Sequence, residues 1–209
     1  MPGSPSLALA LGDPMGVDDD DKSIGRAWPP LTPPLPVEVA LRDGTPAEVR
    51  AGGQPGDREA LVRGFDTFSA QSRYRRFLTA MPSLSEAMVR RLVDEIDGSD
   101  HIAVVLTPKA TASPVGVARM IRSPSDPSTA DVAVSVADDW QGRGVATALL
   151  AVLVPRRPAG TTTLVTEVAV DNAASLAMLR RLGPTRLHLH SPGTLEVRVD
   201  LAPNGARQG

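Results

Sequence analysis

The sequence predicts one α+β domain built on a mixed central sheet. Three observations carry that prediction. Helical patterns come early in the chain. Consecutive β-rich runs follow, and they contain a single strand–helix–strand crossover. A strand pair closes the pattern. A length of 209 residues suits one ordinary domain. With 42% hydrophobic and 22% charged residues, the composition is globular.

Residues 1–36 hold eight of the 20 prolines. Proline lacks a backbone donor and fixes φ, so this stretch is expected to be a disordered or extended leader. Within it, Asp18-Asp19-Asp20-Asp21-Lys22 looks like an enterokinase cleavage tag and carries no fold argument. Residues 37–41 and 46–50 read as two strands joined by a turn at Asp43-Gly44. Asp57 is placed to cap a helix whose Leu61, Phe65 and Phe68 fall on one face. A short helical piece is expected over residues 72–78. Ser83 with Glu86 reads as a capping box for a helix burying Val89, Leu92, Val93 and Ile96.

The second half reads as strands over residues 102–106, 115–121 and 130–137. An almost wholly apolar helix over 142–154 follows, then a β-branched run over 161–170. A helix over 172–182 turns Leu176, Leu179 and Leu182 inward, and residues 186–190 and 195–201 form the closing hairpin. The domain is therefore expected over 37–201, with a flexible tail over 202–209.

Composition excludes several classes. There is no cysteine, hence no disulfide scaffold, thiol catalysis or Cys-ligated zinc. A net charge of −2 offers no bulk field for nucleic acid. No run approaches 18 apolar residues, so no membrane span is expected and a cytoplasmic protein is the default. His188 and His190 share a strand face but have no ligand-spaced companion, so no metal is expected. The Arg73, Arg75 and Arg76 cluster reads as a solvated helix face, as does the Arg156-Arg157 pair in its loop.

The chemistry concentrates at residues 130–147. A strand runs into Gln141-Gly142-Arg143-Gly144-Val145-Ala146-Thr147, which opens the apolar helix. Free N–H groups and the positive end of the helix dipole meet there, and glycine lets a ligand approach the backbone. This is an anion cradle, to which Arg143 adds a charged donor. It lacks the Gly-Lys-Ser/Thr of a P-loop. Gly142-Arg143-Gly144 is half a dinucleotide fingerprint, with Thr147 in place of the third glycine.

Gln141-x-x-Gly144-x-Ala146 after a strand resembles the acyl-CoA signature of the GNAT acyltransferase superfamily. Asn172, with Ser175, opening a helix that ends at Gly183 resembles that superfamily's second motif. Phe68-Ser69-Ala70-Gln71-Ser72-Arg73-Tyr74-Arg75-Arg76-Phe77, Pro82 to Glu86, and Asp100-His101-Ile102-Ala103 resemble GNAT domains of bacterial protein lysine acetyltransferases. The likeness spans about residues 37–201 and implies a GNAT-like mixed sheet flanked by helices in a single domain. It also implies transfer of an acyl group, chiefly acetyl from acetyl-CoA, to a primary amine of a protein lysine or a small molecule. Direct attack in a ternary complex is the implied route, with a monomer or homodimer as the working form.

By that resemblance Val134, Ser135 and Val136 hold the thioester and pantetheine. Gln141, Gly142, Arg143, Gly144, Val145, Ala146 and Thr147 hold the pyrophosphate, and Asn172 and Ser175 flank the acyl end. Asp131 stands where the family places a glutamate and is the expected general base, acting through water. Leu179 stands where many members have a tyrosine acid, and Gly183-Pro184 replaces Gly-Phe. Those departures support an alternative, a CoA-binding regulatory module with weak catalysis. A Rossmann-type nucleotide binder is a third reading.

Overall fold

The structure is a computed structural model and describes residues 33–69, 83–111 and 113–202. The expected helix over 72–78, the Arg73, Arg75 and Arg76 cluster, and most of the leader and tail lie outside the described residues.

The order is β1 (Val37–Ala40), β2 (Pro46–Ala51), α1 (Asp57–Thr67), α2 (Glu86–Val89), a π-helical turn (Arg90–Asp94), β3 (His101–Pro108), β4 (Gly116–Arg122) and β5 (Thr129–Val136). Then come α3 (Val145–Leu153), β6 (Thr163–Ala169), α4 (Ala173–Arg180), β7 (Thr185–Ser191) and β8 (Thr194–Asp200). The eight strands form one sheet in the order β1-β2-β3-β4-β5-β6-β8-β7. Neighbours are antiparallel except β5 and β6, which are parallel and joined across α3. This is the mixed sheet and lone crossover that the element order predicts.

Strand alternation sorts side chains onto two faces. One carries Leu106, Ala118, Met120, Ala130, Val132, Leu164, Val197 and Val199, all buried, and α3 covers it with Val145, Leu149, Leu150 and Leu153. Each such leucine is worth about 2–3 kcal/mol relative to an exposed one. The other face is covered over β3 and β4 by α1 and the π-helical turn, through Phe65, Leu92 and Val93. β3 is therefore buried on both sides along nearly its whole length.

Four local readings change. The N-cap of α1 is Gly56, and Asp57, expected as the cap, is the first helical residue and pairs with Arg50. α2 is capped by Ser85, not Ser83: its side chain accepts from Met88 N at 3.3 Å. α3 begins at Val145, because Gly142 and Gly144 both take positive φ and cannot continue a right-handed helix. Arg157 is buried rather than solvated. It donates to the carbonyls of Thr161 (2.9 Å) and Ala202 (2.7 Å), tying the end of the α3 crossover to the end of β8. In the leader, Leu35 packs against the core. Among the described residues no helix is long and apolar enough to cross a membrane.

Candidate active site

β5 and β6 pair only at their starts, through Thr129↔Thr163, Ala130↔Leu164 and Asp131↔Val165. Beyond Asp131 the two strands part. Each stays bound to its outer neighbour, β5 to β4 as far as Val136 and β6 to β8 as far as Ala169. The result is a wedge-shaped opening in the middle of the sheet.

The ladder bonds show which backbone groups line the wedge. Ala137 N donates to Val115 O (2.9 Å) and Ser123 N to Thr129 O (2.9 Å). Backbone polarity alternates along a strand, so odd residues of β5 face β4, and Val132, Val134 and Val136 face the opening. On the other lip Val170 N donates to Gly193 O (3.0 Å) and Leu201 N to Thr162 O (2.8 Å). The same alternation turns Glu167 and Ala169 toward the opening.

The wedge widens into a groove of about 400 Å³. Val134, Ser135, Val136, Gln141, Gly142, Gly144, Val145, Ala146, Thr147, Asn172 and Ser175 all line it. The first turn of α3 thus lines the same groove as the end of β5. Asn172 is the N-cap of α4, accepting from Ser175 N at 3.2 Å. Gln141 Nε2 donates to Asp138 Oδ1 (3.0 Å) and reaches Val136 O (3.5 Å).

Arg143 turns the other way. Its Nε meets Asp43 Oδ2 at 2.5 Å, its Nη2 donates to Thr45 Oγ1 at 3.0 Å, and its guanidinium lies 4.0 Å from the Trp140 ring centroid. Bonds from the Thr45 hydroxyl and backbone N–H, then Arg143, hold the Asp43 carboxyl down at about 2. Arg143 is therefore an anchor that fastens the cradle loop to the β1–β2 turn. A second fastening comes from Arg42. Its N donates to Arg143 O (3.1 Å) and its guanidinium to Gly142 O, and it lines the groove.

Asp131 lies at the apex of the wedge, part-buried and about 10 Å along the strand from Val134. Because Asp131 pairs with Val165, its side chain shares a sheet face with Val165 and hence with Glu167. Glu167 is two residues nearer the wide end. Its carboxylate lies 3.2 Å from His190 Nε2, and its side chain is only 15% exposed.

Sequence reasoning missed Arg42, Arg181 and Glu167. Arg42 and Arg181 bring two guanidinium side chains to the groove lining. Glu167 was open to discovery through strand alternation, as the acid in a β-branched run beside an expected opening. Leu179, at the expected tyrosine position, is buried in the core, while Met178 and Arg181 of the same helix region line the groove. His190 is bound to Glu167. Among the described residues no group of three or more His, Asp or Glu side chains is placed to hold a metal ion.

A model of the acetyltransferase (GNAT) domain matches residues 53–185, which contain the wedge, the cradle and α4. The chain belongs to the GNAT acetyltransferase family. Among curated proteins, acetyltransferase Pat of Mycolicibacterium smegmatis (strain ATCC 700084 / mc(2)155) is 31% identical over 169 residues. The match covers 80% of this chain and 50% of that protein, so the chain spans about half the length of that relative. Among solved structures, the GNAT domain of S. lividans PAT superposes with a TM-score of 0.68 at 29% identity, covering 79% of this chain and 97% of that one. The cAMP-binding acyltransferase from Mycobacterium smegmatis gives 0.56 at 28% identity over 81% of this chain and 48% of that one. A GCN5-related N-acetyltransferase from Kribbella flavida (TM-score 0.58, 20% identity, covering 74% of this chain and 98% of that one) shares the fold. The chain thus has the GNAT fold, a mixed eight-stranded sheet flanked by helices, and acyl transfer is the family's chemistry.

Proposed function

We propose that this GNAT chain transfers an acyl group, acetyl first of all, from a CoA thioester to a primary amine. One observation carries the reading: the strands part immediately after Asp131↔Val165, and the glycine cradle closes the wide end of the gap. A long thin ligand with an anionic middle and a thioester tip fits such a slot. The pyrophosphate would meet the N–H groups at the start of α3, whose dipole favours anions. Arg42 and Arg181 add positive charge at the rim. Pantetheine would run along the lip of Val132, Val134 and Val136. A backbone N–H there would take the charge that develops on the thioester oxygen.

The reaction forms a C–N bond and breaks the C–S bond. An alkyl ammonium with pKa about 10.4 must first lose a proton to attack. Asp131 would accept that proton through one water, since its carboxylate is set back at the apex. The departing thiolate would leave as the CoA thiol after taking a proton. Asp131, Val134, Ser135, Val136, Gln141, Gly142, Gly144, Val145, Ala146, Thr147, Asn172 and Ser175 are the proposed site, with Arg143 as its anchor. Protein lysines and small amines are both acceptors within this reading.

The test is a thermal-shift measurement with acetyl-CoA, CoA and NAD, followed by mass spectrometry of an amine panel. A shift with both CoA compounds and an acetylated amine is the expected result. Binding of CoA without any acetylation would select the regulatory module instead, a reading favoured by the burial of Leu179 where a tyrosine acid is expected. Protection by NAD alone would select the nucleotide binder.

A further inference from the structure

A second cavity, of about 130 Å³, lies on the opposite face of β3, β4 and β5 from α3, beneath α1 and the π-helical turn. A single water needs only about 10–15 Å³ on this measure, so several heavy atoms fit. Its wall is apolar, with Leu61, Phe65, Leu92, Val93, Val105 and Val117. Ser135 and Phe68 line both this cavity and the cradle groove, so the two spaces adjoin at the C-terminal end of β5.

Charge decides what can enter. Among the described lining residues the one carboxylate is Asp57, and it is engaged: Arg50 meets both its oxygens (3.0 and 2.5 Å), and Gln54 N donates to it at 3.0 Å. The floor holds Arg119, 5% exposed, donating to Leu92 O at 2.7 Å. A cationic amine would meet a buried cation and find no anion to pair with, which is costly. An apolar chain meets neither problem.

We infer that this cavity is the acyl pocket, and that it takes uncharged acyl chains of three or four carbons entering past Ser135 from the thioester in the groove. The inference rests on the acyltransferase reading above and adds the acyl class. The transfer itself is unchanged: the C–S bond breaks, the amide C–N bond forms, the amine proton passes to the base, and the CoA thiol leaves. Each methylene moved from water into an apolar wall is worth about fourfold in affinity.

The experiment measures dissociation constants of CoA, acetyl-, propionyl-, butyryl- and succinyl-CoA by calorimetry on the full chain. It then repeats them on Gly64→Leu and Val117→Phe. Gly64 lines the cavity from α1, and a Cβ there meets no heavy atom within 4 Å. Leucine also favours helix over glycine, so this variant should fold. The expected result is that affinity rises about threefold to fivefold per methylene from acetyl to butyryl. In both filled variants that gain should disappear while the affinity for CoA itself is unchanged.

A chain-length-independent affinity in the wild type overturns the acyl pocket while leaving CoA binding intact. Tightest binding of succinyl-CoA overturns the uncharged class in favour of a carboxylate on Arg119. Filled variants that keep the butyryl preference but raise KM for the amine make the cavity the acceptor's and overturn the assignment. Failure of CoA itself to bind the wild type removes the acyltransferase reading and this inference with it.

Discussion

Gly144 packs against Arg42. A Cβ built on Gly144 would lie 3.1 Å from both the Cβ and the backbone nitrogen of Arg42, and the residue has φ +94°. The cradle is therefore pressed onto the β1–β2 turn from 102 positions away in sequence, and only glycine allows the approach.

Gly142 is different. It has φ +74°, but a Cβ there meets nothing within 4 Å. Gly144→Ala should cost about 1–3 kcal/mol from left-handed strain alone, and more from the contact with Arg42. Gly142→Asp should cost about 1 kcal/mol, because Asp tolerates the left-handed region, while placing a carboxylate in the anion cradle. Thermal melts with and without acetyl-CoA read both effects. Gly142→Asp should melt near the wild type and lose the ligand-induced shift. A full shift in that variant would falsify the cradle assignment.

Two carboxylates share the face beside the wedge, and mutation separates their roles. Asp131→Ala should lower kcat by about 10²–10⁴ with little change in CoA affinity, as expected for a positioned base. Asp131→Glu should keep or raise activity by extending the reach about 1.5 Å, one C–C bond. Glu167→Gln should leave kcat within a few-fold. If Glu167→Gln instead carries the large loss and flattens the acidic limb of the pH profile, the base belongs to β6.

His101 supplies a pH signature of the fold. It is 6% exposed, and its Nε2 has no hydrogen-bond partner. Burial is the largest influence and Arg119 the next, and both push its pKa below the ordinary 6.5. The bonded Glu95 backbone and the charges of Asp97 and Glu95 oppose them more weakly. The unfolded chain then binds a proton near pH 6.5 that the folded chain refuses. Stability is complete above that value and falls as pH drops toward the folded-state pKa. The melting temperature should decline from pH 7 to pH 5, and His101→Leu should flatten the decline. Parallel profiles for the two proteins would place the titration in another group.

Much of this was legible in the residues themselves, where local physics leaves a periodic or conformational mark. Alternating apolar residues announced β5, and the glycines ahead of an apolar helix announced the cradle. Asn172 announced the cap of α4 because its side chain bonds a backbone three residues on. Tertiary structure alone decided the rest. The wedge exists because β5 and β6 release each other after three residue pairs while both stay held by outer strands. Nothing in either strand's composition marks that point. Arg143 reads locally as a phosphate ligand, but Asp43 and Thr45, brought close by sheet closure, claim it as an anchor. Ser85, two residues beyond the expected Ser83, caps α2 and accepts from Met88 N. Glu167 came onto the same sheet face as Asp131 only through the parallel register of two strands joined by a whole helix. Such pairings are set by long-range packing, which leaves no period in the sequence to read.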